Sequence, residues 1–83
     1  MKVKELVKDF TFEEVCNYLE GHTGLRLPTF EEARKLETRH NAYWVKDEVG
    51  DRQGIYENGN LESSHVLFKN QVVLIDERNN RNE

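Results

Sequence analysis

Cys16 and the three histidines, His22, His40 and His65, are the side chains best suited to nucleophilic or metal chemistry. A cysteine beside an imidazole makes a nucleophile, and imidazoles grouped with carboxylates or thiolates hold zinc. The spacing assembles neither. The histidines match no H-E-x-x-H or comparable motif, and one cysteine offers no C-x-x-C pair and no internal disulfide. Cys16 falls on the apolar stripe of an expected helix and reads as a small core residue. His22 stands at that helix's end, where an imidazolium favours the last carbonyls. Glu13-Glu14 and Glu31-Glu32 resemble acid–base pairs. Each pair follows a threonine, though, and reads as first-turn helix chemistry. Asp47, Glu48 and Asp51 gather acidic oxygens without the spacing of a calcium loop. No catalytic residue, cofactor or metal ligand is assigned, and the chain reads as a non-enzyme.

Three other side chains carry more information. Arg26 sits between Leu25 and Leu27 in an extended segment, so the leucines face one way and the guanidinium the other. Tyr43 and Trp44 are adjacent in an expected strand and point to opposite faces. Trp44 is expected in the core, and Tyr43 partly exposed, where a ring can anchor a partner.

The elements that must hold these residues follow from local signals. Thr11-Phe12-Glu13-Glu14 is a capping box, with Phe10 and Val15 placed for a hydrophobic staple. The helix it opens sets Phe12, Val15, Cys16 and Leu19 on one face and ends near Gly21. Pro28 pushes Leu27 into extended backbone, and Thr29 with Glu32 opens a second helix with the same cap. Phe30, Ala33 and Leu36 form its buried side. Residues 2–7 read equally as strand or helix. If a strand, they are expected to pair with residues 72–75.

Beyond residue 41 the pattern turns to strands. Ala42–Lys46 is rich in aromatic and β-branched residues. Asp47–Gln53 reads as a charged loop, Gly54–Glu57 as a short strand, and Asn58-Gly59 as a tight turn. His65–Lys69 and Gln71–Ile75 read as a final hairpin about Lys69-Asn70. The expected fold is α+β, two N-terminal helices packed on a small antiparallel sheet. Residues 1–78 are expected to form a single compact domain and residues 79–83 a disordered polar tail.

Composition bounds the function. The chain has 83 residues, 36% hydrophobic and 34% charged, which allows one thin core under a strongly hydrated surface. A net charge of −4 gives no basic face for nucleic acid. Met1–Glu5 has no apolar run, so neither signal peptide nor membrane span is expected, and a cytoplasmic setting fits the cysteine usage.

Arg26-Leu27-Pro28-Thr29 with Glu32, and then Tyr43-Trp44, resemble a bacterial and phage branch of the C-type-lectin-like fold. The nearest patterns are the formylglycine-generating-enzyme type of domain and the Lcl-type C-terminal domain. The likeness covers roughly residues 11–76. It departs at Ala33, where those families carry tryptophan, and at Val45-Lys46-Asp47-Glu48, where they carry small hydroxyl residues. The paired active-site cysteines of the enzyme have no counterpart, and no E-P-N, Q-P-D or W-N-D calcium motif is present. The resemblance implies that Arg26 belongs to the scaffold through a structural ion pair, and that the loops of this scaffold form a binding surface, often for protein.

The expected function is therefore non-enzymatic protein binding. The candidate contact residues are Tyr43, Asp47, Glu48, Asp51, Arg52, Gln53, Tyr56, Glu57, Asn58 and Asn60, on a polar segment expected to be loop-rich. In its concrete form this is a phage accessory protein that inhibits a host defence or transcription component. A structural or receptor-binding subunit of a virion and a small carbohydrate-binding module, the latter needing an exposed aromatic platform, stand as alternatives.

Overall fold

Two threonine caps set where the chain turns helical. In the computed structural model, which describes residues 2–78, the Thr11 side chain accepts from the Glu14 N–H while the Glu14 carboxylate accepts from the Thr11 N–H. Thr29 and Glu32 repeat the exchange. The element order is β1 (Val3–Glu5), α1 (Phe12–Glu20), β2 (Leu25–Arg26), α2 (Phe30–Lys35), β3 (Ala42–Val49), β4 (Arg52–Glu57), β5 (Asn60–Ser64) and β6 (Val73–Asp76). Both helices start and α1 stops where the sequence places them, with Gly21 capping α1.

The result is a small α+β domain with two helices and two small antiparallel sheets, ordered β1-β6-β2 and β3-β4-β5. It has more strands than the sequence suggests, and two of them precede the second helix. Residues 3–5 are strand, paired with β6 as Val3↔Ile75, Lys4↔Leu74 and Glu5↔Val73. This is the pairing expected if that segment were extended. The two sheets meet where Tyr43 bridges Gln71 in parallel and the Trp44 N–H donates to the Gln71 carbonyl at 3.2 Å. Residues 79–83, expected as a disordered tail, lie outside the described residues.

Alternation along β3 and β6 divides the core in two. Trp44, Val72 and Leu74 pack with Val15, Leu25, Leu27 and Ile55 on the face that α1 covers. Tyr43, Val45 and Val73 pack with Ala33 on the face that α2 covers. Strands buried on both faces carry unbroken apolar runs, as Val72–Ile75 does. Tyr43 is 1% exposed and Trp44 0%, because each face of the sheet has its own helix. The expectation of a half-exposed Tyr43 is therefore corrected.

Three further expectations are corrected. Cys16 is exposed. The buried side of α1 is Phe12, Val15, Tyr18 and Leu19, centred about 90° around the helix from Cys16. Asp47–Gln53 is not a loop, since β3 runs on to Val49 and turns at Gly50-Asp51 into β4. His65–Lys69 forms no strand, and the hairpin about Lys69-Asn70 is absent. β6 instead lies between β1 and β2. The Asn58-Gly59 turn is as expected, with φ of 50° and 92° at its two residues, the left-handed pair such hairpin turns need.

Candidate functional site

The junction before α2 is a hub of the scaffold. The Arg26 guanidinium donates to both oxygens of Glu32, at 2.8 Å each, and through Nε to Glu77 at 3.0 Å. The expected structural ion pair at Arg26 is present. These bonds, with those from Thr29, hold the Glu32 carboxyl down at about 2, the Arg26 contact contributing most. The same bonds push the Arg26 guanidinium further up. One carboxylate thus caps α2 and ties it to β2.

Next to the hub lies a wide bulge. Trp44 pairs with Ile55 and Glu48 with Gln53, so Val45, Lys46 and Asp47 stand opposite Gly54 alone. The excess chain curls over toward α2. The Lys46 N–H donates to the Pro28 carbonyl at 2.9 Å, and an Asp47 carboxylate oxygen accepts from the Phe30 N–H at 2.7 Å. Gln53 Nε2 donates to the Val45 and Asp47 carbonyls at 2.7 and 3.0 Å.

This geometry sorts the ten candidate contact residues. Tyr43 is buried, and burial pushes its phenol up to about 12. Asp47 and Gln53 spend their polar atoms on the bulge. Tyr56 is half-buried, its ring 5.1 Å from that of Tyr43 and 6.1 Å from that of Phe30. Glu48, Asp51, Arg52, Glu57, Asn58 and Asn60 are exposed, on strands and tight turns rather than on a long loop. With Tyr43 and Trp44 both inside, neither ring offers the exposed platform that a carbohydrate-binding role was expected to use.

Besides the single side chains of Val7 and Val49, the exposed apolar residues lie together where the sequence suggests a strand. Val66, Leu67 and Phe68 are 45%, 72% and 65% exposed. They form a tight turn that several bonds hold. The Phe68 N–H donates to the His65 carbonyl at 3.0 Å, and the Leu67 N–H to His65 Nδ1 at 3.1 Å. The Val66 carbonyl accepts from the Phe12 N–H at 3.3 Å, and Asn70 exchanges two 2.9 Å bonds with Phe10. Asn70 Nδ2 also donates to Ser64 Oγ at 3.0 Å. The turn is anchored at both ends, and its apolar side chains project outward. An open cleft of about 280 Å³, lined by Asp51, Arg52, Gln53, Ser64, His65 and Val66, separates it from the β3–β4 turn.

A signal for this turn was present. His65–Lys69 has three apolar residues in a row, so as a strand it would need cover on both faces. A chain this short, with β3 and β6 already taking that cover, has none to spare.

The three histidines lie in separate places. His22 Nδ1 lies 2.7 Å from the Tyr18 carbonyl and its ring stacks on Tyr18. His40 Nε2 lies 3.2 Å from the Leu6 carbonyl. His65 forms the apolar turn. Among the described residues, no three His, Cys, Asp or Glu side chains are gathered to hold a metal. No helix there is long and apolar enough to cross a membrane. Set against protein-family models, curated proteins and solved structures, the chain matches none.

Proposed function

We propose that this chain is a non-enzymatic protein-binding module of C-type-lectin-like build, and that it binds through the Val66–Phe68 turn. One observation carries the proposal. Two large apolar side chains, Leu67 and Phe68, stand in solvent on a turn held by hydrogen bonds from three directions. Exposing them costs solvation, and fixing the turn costs entropy. The solvation cost is recovered when a partner covers the side chains, and a pre-ordered apolar anchor loses little further freedom on binding. The lectin-like build is supported by the Arg26–Thr29 junction with Glu32 and by the pairing of the first and last strands. The partner in its concrete form is a host protein engaged by a phage accessory protein.

The test compares capture from bacterial lysate by the wild type and by a Leu67→Ser, Phe68→Ser double variant. Both side chains are exposed, so the variant is expected to melt within a few degrees of the wild type. One protein retained in stoichiometric amount by the wild type and lost by the variant is the expected result. Equal retention by both, or none by either, overturns the proposal.

A further inference from the structure

We infer that the outer edge of β5 takes an extended segment of a partner protein as a fourth strand of the β3-β4-β5 sheet, and that this segment is basic. The inference rests on the protein-binding reading above and names how the partner is held. β5 is an edge strand, with all five residues paired to β4 in unbroken register from Gln53↔Ser64 to Glu57↔Asn60. Among the described residues no backbone hydrogen bond outside that ladder reaches Asn60–Ser64. With Asn60 closing the hairpin opposite Glu57, alternate residues face β4 and the free side of β5 carries the unpaired N–H and C=O groups of Leu61 and Ser63, the template to which a foreign strand adds.

The other edges are occupied or short. β3 gives its Trp44 and Lys46 N–H groups to Gln71 and Pro28. Beside β1, a Glu5 oxygen accepts from the Arg39 N–H and the Leu6 carbonyl meets the His40 ring. β2 is two residues long. Edge strands are normally guarded by charged side chains, above all lysine, or by proline, a bulge or a cover. β5, Asn-Leu-Glu-Ser-Ser, has one charge, Glu62, and neither lysine, proline nor bulge.

The side chains along this edge select the occupant. Glu62 stands opposite Ile55 and Asn60 opposite Glu57, so Glu57 and Glu62 are diagonal neighbours on one face. Both are exposed, and neither has an ion-pair partner among the described residues. A strand laid beside β5 sets alternate residues next to Glu62, with Glu57 one strand further in on β4, so that lysine or arginine is favoured there and carboxylates are repelled. On the other face Leu61, half-buried against the cluster of Tyr43 and Val45, offers an apolar neighbour. The segment that fits alternates basic with apolar or β-branched residues. It runs toward Ser64, beyond which the Leu67 and Phe68 anchors stand.

The test uses a synthetic peptide alternating lysine and threonine with a central valine, and the same peptide with glutamate for lysine. Binding is followed by amide shifts of the isotope-labelled protein. The lysine peptide is expected to move the Asn60–Ser64 amides and to protect those of Leu61 and Ser63, and the glutamate peptide to leave them in place. A Glu57→Lys, Glu62→Lys variant is expected to bind the lysine peptide about tenfold more weakly while melting as the wild type does. Shifts elsewhere, no shifts at millimolar peptide, or equal binding by the variant overturn the inference. Protection of β5 without peptide, with dimer in sedimentation, overturns it in favour of a second copy. The lysate capture separates the two levels. If the lysine variant captures the protein lost by the Leu67 and Phe68 variant, the edge inference fails and the binding module stands.

Discussion

Glu32 accepts the Thr29 N–H and, through both oxygens, the Arg26 guanidinium. The consequence is a dependence of stability on acid whose sign follows from the pKa. In the folded chain the carboxyl titrates at about 2 instead of its ordinary 4.5, chiefly because Arg26 donates to it. A lowered folded value means that the contribution is whole above pH 4.5 and is lost as pH falls from there through about 2. Glu32→Gln keeps an amide oxygen for the cap but removes the charge. At neutral pH it is expected to cost about 1 kcal/mol, since the pair is partly exposed. Below pH 2 the difference from wild type is expected to vanish. Urea titrations of both proteins at several pH values measure this, and a difference that stays constant with pH would place the stabilisation elsewhere.

At the level of elements, the bulge in β3 is the piece that joins the sheet to the junction before α2, and Gly54 makes it possible. A Cβ at Gly54 would lie 2.7 Å from the Asp47 carbonyl oxygen, which is backbone and cannot swing aside. Gly54→Ala is expected to cost about 1–3 kcal/mol by forcing the bulge outward. Gly21→Ala, whose Cβ would meet nothing closer than 3.8 Å, serves as the control and is expected to change little. Thermal denaturation of the pair checks this, and equal melting temperatures would mean that the bulge is soft. These elements also mark what was legible in the sequence. Both helix starts and the Asn58-Gly59 turn were, because caps and tight turns are decided within four residues. The role of Arg26 came instead from the family resemblance of its motif. The length of β3 was not legible, because nothing local shows that Asp47 finds the Phe30 N–H seventeen positions away. The loop reading of the candidate segment failed for a related reason. Polarity marked residues 47–53 as loop, whereas the exposed apolar turn at 66–68 has the composition of a strand and differs only in lacking cover. Cover is a property of the whole packing.

At the scale of the molecule, the chain closes on its last strand. β6 is held by β1 on one side and β2 on the other, with Val73, Leu74 and Ile75 buried. Around it the Asp76 N–H donates to the Lys2 carbonyl, the Glu77 N–H to the Gly24 carbonyl, and Arg26 to Glu77. Early and late sequence are therefore joined in one unit, whose amides are expected to open only when the whole domain does. β5 is different. It has a partner strand on one side only, and Leu61 alone of its apolar side chains reaches the core. Native-state hydrogen exchange is expected to give Val73–Ile75 opening free energies equal to the global value from denaturant. Asn60–Ser64 are expected to open locally, several kcal/mol lower. That gradient suits a binding edge. A strand loosely held in the free protein gains most from a fourth strand, so partner binding should raise protection at β5 and leave β6 unchanged. Val3 and Val73 exchanging as fast as β5 would break the closure of the chain on β6. Uniform protection throughout would make β5 as rigid as the core, and its edge would then owe nothing to the arrival of a partner.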